Sequence, residues 1–77
     1  MADSTYKVIQ LVGTSETGIE DAVRGALGRA SQTIHNLDWF EVKEIRGSVA
    51  HDGGINWFQV KVDVGFKVLD PSDLQKG

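Results

Sequence analysis

Residues 57–68 read Trp-Phe-Gln-Val-Lys-Val-Asp-Val-Gly-Phe-Lys-Val, and along them apolar side chains recur at every second position. Side chains of a β-strand point alternately to opposite faces, so this pattern predicts a strand with one apolar face and one mixed face. The apolar face carries Phe58, Val60, Val62, Val64, Phe66 and Val68. The mixed face carries Trp57, Gln59, Lys61, Asp63, Gly65 and Lys67. The apolar face is therefore the one expected to meet the core.

The residues just before this strand predict a hairpin. His51-Asp52-Gly53-Gly54 indicates a turn, because Asp-Gly and Gly-Gly pairs tolerate the positive φ that hairpin turns require. Residues 39–49 predict a second long strand. Its alternation slips between Val42 and Ile45, which indicates either a β-bulge or a strand whose two halves bury different faces.

The N-terminal half predicts a strand followed by a helix. Residues 6–12 are rich in β-branched and aromatic side chains, and Gly13-Thr14-Ser15 is expected to end this strand. Helical spacing then predicts a helix of about 20 residues. Its apolar positions are Ile19, Ala22, Val23, Ala26, Leu27, Ala30, Ile34 and Leu37.

Two N-terminal caps fit this helix. Ser15 can cap it directly, or Thr17 and Glu20 can form a capping box. Inside the helix, Gly25 and Gly28 each cost about 1 kcal/mol relative to alanine, which implies close packing against a neighbouring element.

These elements give an α+β chain in the order β-α-β-β. If the last two strands form a hairpin and the helix makes the first two strands parallel, the sheet order is 1-3-2. One helix covers one face of this sheet, and Trp39, Phe40 and Trp57 cannot all lie beneath it. We therefore expect another subunit or a flat ligand to cover the remaining aromatic surface.

Length and composition limit the classes of function. The 77 residues carry a net charge of −3 and no cysteine, which predicts one domain over 1–77 without disulfides, cysteine zinc sites or a thiol nucleophile. The acidic balance argues against nucleic-acid binding. The sequence has neither a signal-peptide pattern nor a membrane-length apolar run, so we expect a cytoplasmic protein with no membrane partner. A chain this small is expected to gain stability from subunit contacts.

No set of residues predicts catalysis. His35 and His51 have no acidic or cysteine partners at triad or zinc spacing. Glu41 and Glu44 could act as acid and base, but strand carboxylates are usually solvated. The segment Gly13-Thr14-Ser15 could hold a phosphate on its N–H groups, but it lacks the further glycines and the lysine of a phosphate-binding loop. We therefore expect a protein that is not an enzyme.

Three side chains instead supply the parts of a ligand site. Trp39 offers an aromatic plate, Gln59 a donor and an acceptor, and Arg46 a partner for an anion. These parts suit a flat heteroaromatic ligand with imide-like edges and a phosphate tail. A simpler interpretation also fits, in which Trp39 anchors a subunit interface and Gln59 belongs to the polar side of a strand.

Four runs of the sequence resemble the dodecin family of small bacterial and archaeal flavoproteins. They are 12–15, 37–47, 58–60 and 64–66, and the similarity extends from about Tyr6 to Leu69. The resemblance implies a β-α-β-β subunit whose sheet wraps around one long helix. It also implies that twelve copies form a hollow shell, with flavins bound in pairs between tryptophans at subunit contacts.

The resemblance also implies roles for four residues. Trp39 takes the stacking position, Gln59 bonds the isoalloxazine ring, Arg46 lies near the flavin tail and Glu44 lies near the ligand. The implied ligand is FMN, with riboflavin or FAD as alternatives and coenzyme A as a second ligand. The function that follows is a homododecamer that stores flavin and quenches its photoreactivity. The alternatives are a structural homo-oligomer without cofactor and a flavin-dependent redox enzyme.

Overall fold

The computed structural model of the protein describes residues 4–68. They form β1 (Thr5–Ser15), α1 (Ile19–Ala30), β2 (Leu37–Val49) and β3 (Ile55–Val68). The three strands make one sheet in which β3 lies between β1 and β2 and runs antiparallel to both. The predicted α+β class, the β-α-β-β order and the 1-3-2 sheet order are confirmed.

The core lies between the central strand and the helix. Val60, Val62 and Val64 of β3 are at most 1% exposed, and Ala22 and Val23 of α1 pack against them. Burying a valine side chain fully stabilises a fold by about 2 kcal/mol, so these three residues anchor the sheet to the helix. We call the side of the sheet that carries these valines the inner face and the opposite side the outer face.

The first strand is longer than predicted. Gly13, Thr14 and Ser15 do not end β1, because they pair with Val60, Gln59 and Phe58 of β3. Gly13 is needed for a different reason: a Cβ at this position would overlap the carbonyl group of Ala22 in α1. The glycine therefore lets the helix approach the strand closely.

The helix is shorter than predicted, with 12 residues in place of about 20. After Ala30 the chain makes a tight turn, in which the N–H groups of Thr33 and Ile34 both donate to the Ala30 carbonyl. Asn36 then adopts a φ of 67°, a left-handed conformation that redirects the chain into β2. Leu37 packs against the core from β2, so the apolar spacing continues past the end of the helix.

Neither predicted cap forms at the start of α1. Gly18 occupies the N-cap position, and no side chain caps the helix. The Ser15 hydroxyl instead accepts hydrogen bonds from the N–H groups of Thr17 and Gly18, at 3.0 and 3.2 Å, and donates to Asp21 at 2.8 Å. Ser15 therefore fixes the connection between β1 and α1.

The expected close packing of Gly25 and Gly28 does not occur within one chain. Among residues 4–68, no atom lies within 4 Å of a Cβ built at either glycine. Packing among the described residues therefore does not account for these two helix-weakening glycines.

The slip in β2 is a bulge, as one of the two sequence interpretations predicted. Val42 pairs with Val62 and Glu44 with Lys61, so Lys43 is the extra residue. The bulge restores the alternation, so residues on both sides of it share the outer face. Those residues are Trp39, Glu41, Glu44 and Arg46.

The hairpin between β2 and β3 also forms as predicted. Gly53 has a φ of 92°, and its N–H donates to the Ala50 carbonyl at 2.9 Å. The Asp52 carboxylate accepts from the Gly54 N–H at 2.9 Å. The Asp-Gly-Gly sequence therefore sets the geometry of this turn.

The inner face of β2 is largely uncovered, because α1 packs mainly on β1 and β3. Phe40, Val42 and Ile45 are 48, 40 and 54% exposed. We call these three residues the apolar strip. Among residues 4–68, no helix is both long and apolar enough to cross a bilayer.

Candidate functional site

The outer face carries a row of three hydrogen-bonded side chains. Arg46 of β2 lies opposite Gln59 of β3, and Gln59 lies opposite Thr14 of β1. Arg46 Nε donates to Gln59 Oε1 at 3.0 Å, and Gln59 Nε2 donates to Thr14 Oγ1 at 3.2 Å. The carboxamide of Gln59 is therefore held from both sides.

Glu44 lies in the neighbouring row. Its Oε1 is 3.3 Å from Lys61 Nζ, and both side chains remain partly exposed. Such a pair contributes at most about 1 kcal/mol to stability. Its larger effect is electrostatic, because Lys61 offsets the carboxylate charge beside Arg46 and Gln59.

Trp39 lies further along the same face. It is opposite Gly65 in β3, and its indole covers that glycine so closely that a Cβ there would overlap the ring. The side chain of Trp39 nevertheless stays 40% exposed. The absence of a side chain at Gly65 thus allows the indole to lie on the sheet and still present a surface to a ligand or a partner.

Tyr6 and Asp38 complete the surroundings of this indole. The Tyr6 and Trp39 ring centroids are 6.3 Å apart, with the rings tilted by 44°. The Tyr6 hydroxyl donates to Asp38 Oδ2 at 2.6 Å, a short bond of the kind that a charged acceptor makes. This hydrogen bond raises the pKa of Tyr6, with smaller contributions from desolvation and from the charge of Asp38.

The phenol of Tyr6 should titrate at unusually high pH. Tyr6 is the only tyrosine, so phenolate absorbance during an alkaline titration reports one group. We expect a midpoint above the ordinary value of 10.0, and Asp38→Asn should lower it. Because the folded-state pKa is the higher one, the bond stabilises the fold fully below the unfolded-state pKa, and this stability is lost as pH rises through the folded-state pKa. A midpoint that is unchanged by Asp38→Asn would contradict the assignment.

One chain does not bring the four predicted site residues together. Arg46, Gln59 and Glu44 are neighbours, but Gly65, beneath Trp39, is six residues from Gln59 along β3, or about 20 Å. Within one chain, Trp39 and Gln59 therefore do not line one compact pocket.

Sequence reasoning missed several residues that shape this surface. Gly65 was recoverable, because an isolated glycine in an alternating strand marks a close approach of another group. Thr14, Lys61 and Tyr6 carry no comparable signal, since their partners are set by strand register. Within residues 4–68, no group of three or more His, Cys, Asp or Glu side chains is placed to hold a metal ion.

Comparison with known proteins gives consistent results. The dodecin family model matches residues 5–69. Dodecin from Thermus thermophilus is 52% identical over 63 residues, which cover 82% of this chain and 90% of the relative. Calcium dodecin from Mycobacterium tuberculosis is 35% identical over 65 residues, which cover 84% of this chain and 90% of the relative.

Solved structures agree with these sequence matches. Dodecin from Streptomyces davaonensis has a TM-score of 0.82 at 49% identity, over 90% of this chain and 100% of that chain. The Mycobacterium tuberculosis calcium dodecin, described as calcium-chelating with a novel calcium-binding site, has a TM-score of 0.73 at 36% identity. That match covers 90% of this chain and 96% of that chain.

Proposed function

The chain belongs to the dodecin family, and from that premise we propose that it is a cytoplasmic flavin-binding protein that stores flavin and suppresses its photoreactivity. FMN is the first proposed ligand. Riboflavin and FAD are the alternatives, and coenzyme A is a proposed second ligand. The protein acts as a binding protein and not as an enzyme.

The exposed indole of Trp39 is the observation that carries this proposal. It lies over Gly65 with 40% of its surface accessible. Tyr6 lies beside it, with the two ring centroids 6.3 Å apart. A tricyclic ligand stacked on this surface would gain both apolar burial and aromatic contact.

The row of Arg46, Gln59 and Thr14 supplies hydrogen-bonding groups for the edge of a flavin ring and a positive charge for its tail. Gln59 offers a donor and an acceptor, which match an imide edge of the ring system. Arg46 has five N–H groups, of which one bonds Gln59, so others can neutralise a phosphate or orient a ribityl chain. Glu44, paired with Lys61, lies beside this row and is kept as a weaker candidate.

The proposed sites are formed between copies of the chain. Members of the dodecin family are oligomeric, and the apolar strip of Phe40, Val42 and Ile45 is a surface that another copy could cover. The separation of about 20 Å between Trp39 and Gln59 along the sheet also supports a second copy at each complete site. We propose a homododecamer.

The proposed suppression of flavin photoreactivity follows from the ability of indole to donate an electron. A bound flavin supplies a photoexcited acceptor, to which the stacked Trp39 would donate an electron that it then recovers. The forward transfer would end the excited state, and rapid return of the electron would restore ground-state flavin and tryptophan before either reacts with other molecules. The stacking surface therefore serves both binding and quenching.

Flavin titration tests the proposal directly. When riboflavin or FMN is added to the purified protein, tryptophan and flavin emission should both fall, and the change should saturate at a fixed ratio of flavin to subunit. Light scattering on the same sample gives the size of the assembly. Flavin emission that is unaffected by the protein would remove the proposed function.

A further inference from the structure

The carboxamide of Gln59 is held by two hydrogen bonds, one with Arg46 and one with Thr14. Of these two partners, only Arg46 has been given a role in the proposed site. We propose that Thr14 is a positioning residue that sets the plane of the Gln59 carboxamide, and thereby makes the site select ligands with an unsubstituted imide N–H. This inference rests on the proposed flavin function and names the ligand edge that the site recognises.

Arg46 determines which end of the carboxamide faces which strand. A guanidinium has donors only, so the Gln59 atom 3.0 Å from Arg46 Nε must be the oxygen. The amide nitrogen therefore faces β1, where it donates to the Thr14 hydroxyl at 3.2 Å. A flipped amide would set two donors against each other at Arg46.

Thr14 supplies the second point that fixes the plane. The last torsion of a glutamine side chain is broad, so one hydrogen bond to the oxygen leaves the carboxamide able to rotate. A threonine has a β-branched side chain with restricted χ1, which makes its hydroxyl a stiff acceptor. Thr14 lies directly opposite Gln59 because β1 continues through Gly13 to Ser15.

The hydrogen-bonding groups of Gln59 that neither Arg46 nor Thr14 uses define the ligand edge that it can bind. A carboxamide has two N–H donors and two acceptor lone pairs, and the row uses one of each. One N–H and one lone pair remain, which complement the carbonyl and the N–H of an imide. Methylation of the imide nitrogen removes the donor and leaves the lone pair of Gln59 without a partner.

Affinity for riboflavin and for N3-methylriboflavin tests this role. Neither ligand carries a phosphate, so the charge of Arg46 has little influence on the comparison. We expect wild type to bind riboflavin at least about tenfold more tightly than the methylated ligand. Thr14→Val should weaken riboflavin binding about fivefold and leave the methylated ligand nearly unchanged. Thr14→Ser keeps the acceptor hydroxyl but not the restricted χ1, so it should restore part of the difference.

Gln10→Leu is the matched control. Gln10 Nε2 donates to Asp63 Oδ1 at 3.0 Å, so this variant also removes one hydrogen bond between β1 and β3 on the outer face. It should leave the ratio of the two affinities unchanged. NMR of the ligand-free protein gives an independent readout, because the side-chain amide resonances of Gln59 should shift in Thr14→Val and remain in place in Gln10→Leu.

The outcomes separate this inference from the proposed function. A Thr14→Val protein that binds riboflavin with wild-type selectivity, or that weakens both ligands equally, overturns the role of Thr14 and leaves flavin binding intact. Unchanged Gln59 amide resonances overturn it as well. A wild-type protein that binds neither ligand overturns the proposed function and this inference with it.

Discussion

Trp39→Leu should lower flavin affinity by about two orders of magnitude, which corresponds to the loss of about 3 kcal/mol of apolar burial and stacking. Leucine keeps an apolar side chain over Gly65 but has no aromatic face. Quenching of flavin emission should be lost together with affinity. Fluorescence titration measures both effects, and light scattering should show an assembly of unchanged size.

Trp39→Phe is the matched variant, because it keeps an aromatic plate at the same position. Phenylalanine stacks on a flat ligand but is a much poorer electron donor than indole. We therefore expect this variant to retain part of the affinity and to lose most of the quenching. The pair of variants separates the binding role of the ring from its photochemical role.

The simpler interpretation of Trp39 makes the opposite prediction. If the indole serves only to join subunits, Trp39→Leu should dissociate the assembly, and the affinity of the remaining material for flavin should be unaffected. The structure offers another surface for subunit contact, since Phe40, Val42 and Ile45 lie exposed on the inner face. The outer-face indole is therefore not the only exposed apolar surface of residues 4–68 that another copy could cover.

The fold was predictable where sequence pattern and burial agree. Val60, Val62 and Val64 of β3 alternate strictly, and together with Ala22 they are the most buried residues of the core. The slip in β2 was compatible with a bulge or with two halves that bury different faces, and the strand pairing shows that a bulge keeps Phe40 and Ile45 on one face. In both places, a local pattern reflects which face of a strand is buried.

The sequence-based predictions were wrong where tertiary contacts, and not the local sequence, determine where an element ends. Gly13 looked like the end of β1, but it is required by the approach of the Ala22 carbonyl. Ile34 and Leu37 extended the helical spacing by coincidence, since Leu37 reaches the core from β2. A glycine in a strand and an apolar residue after a helix each have two explanations, and only the packing decides between them.

The residue types of the candidate site could be proposed from the sequence, but their arrangement could not. Aromatic, amide and guanidinium groups together suit a flat ligand with an anionic tail. Their mutual distances depend on register, which pairs Arg46 with Gln59 and Trp39 with Gly65. The separation of Trp39 from Gln59 therefore becomes visible only in the structure, and it is the basis for our proposal that complete sites combine residues of different copies.

Mixed assemblies of two variants should recover binding that neither variant has alone. Trp39→Leu and Gln59→Leu chains each lack one half of every site when assembled separately. In equal co-assembly, about a quarter of the sites should receive an intact Trp39 from one copy and an intact Gln59 from another. Differently tagged chains, purified through both tags and titrated with FMN, give the number of high-affinity sites.

Wild type co-assembled with the double variant provides the matched control. If complete sites combine different copies, about a quarter of the sites should again survive, because both contributing copies must be wild type. If one chain supplied both side chains, half of these sites would survive, and the mixture of single variants would recover none. The two mixtures should therefore give the same number of sites. The proposal is contradicted if the mixture of single variants has no high-affinity sites while the control mixture keeps half of its sites. Trp39 and Gln59 of one chain would then reach the same ligand, despite the separation of about 20 Å between them in the sheet.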